Sequence, residues 1–212
     1  MTQITPIPSR AIVTRSGSIL RGYIDNMPFE GPNERDGLLV MLSDPQFKRV
    51  TAQPYEVRYS LNNKVRTHYP DALAERFVGP DLVLEIKPDR YIDNAKLIKR
   101  TALMKHIFAQ RGQQYEVMFS SHIRQEPRYS NAKELYYFSA GYIDDNVRLL
   151  TIDLVDNFPG ITVGSLSSEL NLQDNGAVFT MIGQKLIDFD RNHPLSKSSR
   201  LYPMEGVMRG TI

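Results

Sequence analysis

The chain has 212 residues, 41% of them hydrophobic and 24% charged, with a formal charge of +2, a length that accommodates one sizeable core plus a smaller module. It contains no cysteine, which excludes disulfides and thiolate metal sites, so any metal must be held by carboxylates, histidines or carbonyls. No apolar run approaches the roughly 20 residues of a membrane span, and Met1 to Arg10 lacks the apolar stretch of a signal peptide, so a cytoplasmic protein without a membrane partner is expected.

In chain order, residues 1–32 carry Pro6, Pro8, Pro28 and Pro32 with Arg10, Arg15 and Arg21 between them. They read as an irregular basic arm with room for a short helix over Ser16 to Asp25. Asn33 is a candidate N-cap for a helix over Glu34 to Ser43, and the apolar run Leu38 to Leu42 predicts that it is buried. Glu34 also suits the positive end of the helix dipole. Beyond Pro45, Val50 to Gln53 and Tyr55 to Tyr59 read as half-buried strands, and Asn62-Asn63 predicts a hairpin into an extended Lys64 to Asp71. Leu82 to Lys87 is the next strand, reached through Gly79-Pro80, and a long helix covers about Asp93 to Gln110. Tyr115 to Phe119 reads as a buried strand and Asn131 to Phe138 as a helix. This order predicts a mixed sheet flanked by helices, with the later strand parallel to an earlier one through a crossover.

Ser139-Ala140-Gly141 marks the expected domain junction. Helices over Val147 to Phe158, Val163 to Leu170 and Gly176 to Leu186 then precede an extended Leu186 to Asp190 and a return at Leu201-Tyr202, the outline of a winged-helix module. Its third helix has only Lys185 as a base, so binding a protein is the expected use rather than reading a DNA groove.

Charge is unevenly spread. Lys87 to Arg111 holds seven Lys/Arg against two Asp, and Tyr142 to Asp190 holds eight Asp/Glu against Arg148 and Lys185. A basic segment suits phosphate backbones and an acidic module does not, although each also reads as a solvated face. Between them, the stretch from His68 to Lys87 carries candidate chemistry. Glu85 and Lys87 fall on one side of a strand and Ile86 on the other, and the Gly79-Pro80 turn would bring Asp71 beside Glu85. Two carboxylates and an ammonium in one place suit Mg²⁺ or Mn²⁺ and phosphodiester hydrolysis. A Pro-Asp pair and a Glu-x-Lys triplet also arise by chance, and a strand of alternating charge is equally a solvated face. His68, His106, His122 and His193 are too scattered in sequence for a histidine metal site. No Ser/His/Asp spacing or phosphate-binding glycine loop is present.

The ordered set Glu34-Arg35-Asp36 through Leu39, Asp44-Pro45, Gln53-Pro54, His68-Tyr69-Pro70-Asp71 and Glu85-Ile86-Lys87-Pro88 resembles the nuclease domain of TnsA. That family supplies the endonuclease subunit of heteromeric cut-and-paste transposases, including those allied to CRISPR effectors. The resemblance covers 33–138, and the C-terminal module is similar in length and helical pattern to the TnsA winged-helix domain. It implies an α/β protein: the basic arm of 1–32, a restriction-endonuclease-like PD-(D/E)xK core over 33–140, and a small winged-helix-like domain with a C-terminal tail over 141–212. It implies catalytic roles for Glu34, Asp71, Glu85 and Lys87, with Glu34, Asp71, Glu85 and the Ile86 backbone carbonyl holding Mg²⁺, for which Mn²⁺ can substitute. Some TnsA proteins carry glutamine at the Glu85 position.

In the same scheme Lys96, Lys99 and Arg100 neutralise backbone phosphates without reading sequence. Gln53 either approaches the DNA backbone or is a solvated strand residue. The implied activity is cleavage of the non-transferred strand at the 5′ ends of a bacterial transposon. The implied partners are DNA, a DDE-class TnsB transposase that cuts and joins the 3′ ends, and a TnsC-type ATPase. The module from Tyr142 and the tail Met204 to Ile212 are the candidates for the ATPase contact. A stand-alone restriction or repair nuclease, and a non-catalytic adaptor between DNA ends and the ATPase, are the competing readings.

Overall fold

Leu82, Val83, Leu84 and Ile86 are all buried, and a strand buried on both faces belongs in the interior of a sheet. In the computed structural model, which describes residues 2–7, 20–61 and 63–204, this strand, Leu82–Lys87 (β8), is internal to a four-stranded sheet. Its companions are Phe47–Ala52 (β4), Ala72–Arg76 (β7) and Gln114–Phe119 (β9), in the order β4-β7-β8-β9. The first two pairings are antiparallel and β8 with β9 is parallel, so the sheet is mixed.

A parallel pair requires a crossover, here supplied by the helix Ala95–Ala109 (α2), whose first turn is capped by the Asn94 side chain accepting from Leu97 N–H at 3.0 Å. Met104, Ile107 and Phe108 of α2 pack with Val83 and Tyr115 from one face of the sheet. On the other face lies Pro32–Ser43 (α1), with Leu38, Leu39 and Met41 buried. Gly37 lets α1 approach closely, because a Cβ there would stand 2.6 Å from Ile86 Cδ1. The alternation expected of β8 is therefore realised: Ile86 packs on α1 while Val83 and Glu85 face the α2 side.

A second sheet has the order β1-β5-β6, from Gln3–Pro6 (β1), Tyr55–Leu61 (β5) and Lys64–His68 (β6), all antiparallel. Gly22–Ile24 (β2) and Met27–Phe29 (β3) form a hairpin. The expectation of an irregular arm over 1–32 is thus corrected in its described part. Asp25 and Asn26 adopt φ of 48° and 61°, a left-handed pair that closes a tight hairpin, and β1 takes a sheet edge where a proline is tolerated. Of the helix expected over Ser16 to Asp25, 16–19 lie outside the described residues and 20–25 are not helical. Pro8, Arg10 and Arg15 also lie outside. The extended run expected from Lys64 to Asp71 ends at His68, and β7 follows Asp71 as a separate strand.

By its internal contacts the chain divides into two units, Met1–Leu42 with Gln46–Arg124, and Ser43–Pro45 with Gln125–Ile212. The junction therefore falls at Arg124, after the short helix Ser120–Ile123 (α3), and not at residue 140. The helix Arg128–Ser139 (α4) belongs to the second unit, where it meets Gly176–Gly183 (α7) backbone to backbone. A Cβ at Gly183 would lie 2.6 Å from the Leu135 carbonyl. The unit continues with Asp145–Asn157 (α5), Val163–Glu169 (α6) and the hairpin of Ile187–Phe189 (β10) with Leu201–Pro203 (β11). Leu135, Val155, Leu166, Val178, Ile182 and Leu201 build its core. Buried Asn131 fixes the loop before β11, donating to the Arg191 and His193 carbonyls and accepting from Leu195 N–H. No residue of α7 is exposed, which makes it a core helix. No helix among the described residues is long and apolar enough to cross a membrane.

Candidate active site at the strand pair and basic cleft

The β7–β8 register pairs Ala72 with Leu84, so one step outward Asp71 faces Glu85. Backbone bonds hold that step in place: Asp71 N–H donates to Leu84 O at 2.8 Å, and Gln53 N–H donates to Asp71 O at 2.9 Å. Gln53 adopts φ 45° just past β4 and thereby turns its N–H to the Asp71 backbone. The Asp71 side chain accepts from Ile86 N–H through Oδ2, at 2.6 Å.

Glu85 is 2% exposed and both its oxygens are engaged. Oε1 lies 2.7 Å from Lys87 Nζ and 2.5 Å from Arg100 Nη2. Oε2 lies 2.7 Å from His68 Nε2 and accepts from Tyr115 O–H at 2.7 Å. Burial pushes the Glu85 pKa up, but the bond and charge of His68 and the Lys87 ammonium outweigh it and hold the carboxyl down at about 2. Burial and the adjoining Glu85 charge drive the Tyr115 phenol far up, so it stays a donor.

Asp71 stands in the opposite state. Burial raises its pKa, the Lys87 ammonium 3.6 Å away lowers it, and the charges of Glu85 and Glu34 raise it again, leaving the carboxyl at about 7. Glu34, in the first turn of α1, accepts from Glu30 N–H through Oε2 at 2.8 Å, and its pKa is raised chiefly by burial. Lys87 donates to the Ile86 carbonyl at 3.0 Å. Burial lowers its pKa, yet Asp71 and Glu85 outweigh that and raise it, so the ammonium stays charged. Asp36, 2% exposed, is clamped by Arg35 at 2.6 Å and by Arg124 at 2.9 Å. That clamp ties α1, and with it Glu34, to the end of α3.

Glu34, Ile86 and Lys87 line an open cleft of about 1190 Å³ together with Arg66, Arg90, Lys96, Lys99 and Arg100. The structure therefore brings Glu34, Lys87, Lys96, Lys99 and Arg100 to one cavity, with Asp71 coupled to Lys87 at its wall. Arg100 is not a free cation, since one of its nitrogens is held by Glu85. Sequence reasoning missed His68, Tyr115, Arg66 and Arg90. His68 enters the sequence reading only as the first residue of the His68-Tyr69-Pro70-Asp71 motif and as one of four histidines too scattered for a metal site, and nothing there gives it a bond to Glu85.

Among the described residues, no three His, Asp or Glu side chains form a ready metal-binding group. The donor chemistry fits a divalent cation at Asp71 and Glu34, each a carboxylate with one oxygen bonded and, among the described residues, no bond to the other. Glu85, expected as a third ligand, has both oxygens committed to protein donors. No known family model matches the chain, and no curated protein matches it in sequence.

Proposed function

We propose that the chain is a Mg²⁺-dependent DNA endonuclease with a PD-(D/E)xK-type core, the TnsA-like subunit that cuts the non-transferred strand at transposon 5′ ends. The observation that carries this reading is the placement of Asp71 opposite the Glu85-Ile86-Lys87 triplet beside a cleft lined by six cations and two carboxylates. Asp71 and Glu34 would hold the cation, which when bound offsets the charge of the scissile phosphate and makes water a better nucleophile. Lys87, fixed by Glu85 and the Ile86 carbonyl, orients the attacking water. Arg66, Arg90, Lys96 and Lys99 neutralise backbone phosphates and leave sequence choice to a partner.

We assign that choice, and the 3′ ends, to a DDE-class TnsB-type transposase. The second unit is read as a winged-helix-like module that docks a TnsC-type ATPase, because no residue of its third helix is exposed and none is basic, which leaves little to offer a DNA groove. The tail proposed to share that contact, 205–212, lies outside the described residues.

The test is a plasmid carrying the transposon ends, incubated with the partner transposase and ATPase. Asp71→Ala is expected to abolish 5′-strand cleavage while 3′ joining continues. Intact 5′ cleavage by this variant would overturn the reading, and cutting by wild type without any partner would point to a self-sufficient nuclease.

A further inference from the structure

We infer that His68 and Tyr115 are positioning residues of this site: by occupying Oε2 of Glu85 they aim Oε1 at Lys87 and set where the ammonium stands. The inference rests on the nuclease reading above. A glutamate carboxylate turns freely about its last torsion, and one that could turn would let Lys87 wander. Here two donors reach the same oxygen, each at 2.7 Å, and stand 3.2 Å from one another. Rotation would break both bonds together, and with them the bond from Arg100 Nη2 to Oε1 at 2.5 Å.

The two donors are placed by the core and not by the carboxylate. Tyr115 stacks on fully buried Phe108, with ring centroids 5.5 Å apart and planes 6° from parallel. His68 meets the Tyr115 ring edge-on at 6.3 Å. It is 8% exposed, whereas the other four residues of β6 all face solvent. The aromatic core thus presents a fixed pair of donors, Glu85 is oriented by them, and Lys87 is oriented by Glu85. An ammonium misplaced by about 1 Å costs on the order of 100-fold in rate.

Tyr115→Phe deletes one hydroxyl and keeps the stack on Phe108, His68→Leu removes a donor, and His68→Gln restores one. In the partner-complete 5′-strand assay, kcat should fall about 10-fold for Tyr115→Phe and about 100-fold for His68→Leu, with His68→Gln recovering part of it. KM for DNA should stay within about twofold in all three, because a positioning role acts after binding. Wild-type kcat in both Tyr115→Phe and His68→Leu, or a loss confined to KM, overturns the inference. If wild type does not cut, or Asp71→Ala cuts like wild type, the nuclease reading is what fails. The geometry is then decided by imidazole ¹⁵N NMR. A proton on His68 Nε2 whose resonance shifts in Glu85→Gln upholds the arrangement, and a proton on Nδ1 alone refutes it.

Discussion

Asp71 and Glu85 face each other across one pair of strands, the first half-buried and the second buried, yet one carboxyl is held near 7 and the other near 2. Burial acts on both in the same direction. The difference lies in what surrounds them: Glu85 has four donors on two oxygens, whereas Asp71 has a backbone N–H and a more distant ammonium on one. The Glu85 side is electrostatically complete and serves to hold Lys87. The Asp71 side is left short of positive charge, a condition that a bound cation would relieve.

The largest break in this comparison is Glu85→Ala, which leaves Lys87, Arg100, His68 and Tyr115 around an empty position. Removing one member of a buried charged network costs about 3–5 kcal/mol, readable from urea denaturation at pH 7. The folded pKa lies below the unfolded 4.5, so this stabilisation is present above about pH 4.5 and is lost as pH falls through about 2. The gap between wild type and variant should narrow over that window. A gap that stays constant would mean that the Glu85 charge is not what binds the network.

Next in size is Gly37→Ala, which strikes behind the strand. The new methyl would collide with Ile86 Cδ1 at 2.6 Å. Overpacking costs about 1–3 kcal/mol and the gain in helix propensity returns up to about 1, for a net loss of up to about 2, with the smaller values expected if the Ile86 side-chain tip swings aside. Because Ile86 N–H holds Asp71 and not Glu85, the Asp71 side should be the one disturbed. Unaltered stability would show that α1 can shift without moving β8.

Much of this arrangement could be read from local sequence, and what could not was long-range. The alternation in Leu82 to Lys87 and the basic helix after it are legible, and the Gly79-Pro80 turn brings Asp71 beside Glu85 as expected, but the strand that pairs with β8 is β7 and not the expected run from Lys64 to Asp71. Strand β7 is not legible, because Ala72-Leu73-Ala74-Glu75-Arg76 is largely made of good helix formers and is held extended by pairing on both sides. Nothing local announces that α4 packs against α7, since that depends on Gly183 meeting a carbonyl 48 positions earlier, at Leu135. The His68 role escaped for the same reason: its partners stand 17 and 47 positions away, at Glu85 and Tyr115, and no spacing rule spans a sheet.

Asp71→Asn tests the unfinished side. The folded pKa of about 7 exceeds the unfolded 3.8, so the proton-linked stability is fully present below about pH 3.8 and lost as pH rises through about 7. Removing the charge should therefore leave the protein more stable than wild type at pH 8, by at most the roughly 4 kcal/mol that the whole shift represents and by less as water reaches the half-buried carboxyl, with the difference vanishing towards pH 4. Urea midpoints at pH 4, 6 and 8 measure this, and a variant less stable than wild type at pH 8 contradicts the picture.

The smallest effect separates cations committed to Glu85 from those left to the cleft. Lys96 and Lys99 are exposed on α2 and line the cavity, so Lys99→Ala should change stability by less than about 0.5 kcal/mol. If the cleft takes a DNA backbone, the variant should weaken binding alike for all sequences and make the slope of log affinity against log salt shallower by about 0.9. Arg100 lines the same cavity but holds Glu85 at 2.5 Å, so Arg100→Ala should lower the urea midpoint more than Lys99→Ala does. Equal stability losses in the two variants would place Arg100 with the free cations and leave the Lys87 ammonium and the His68 and Tyr115 bonds as what keeps Glu85 ionised.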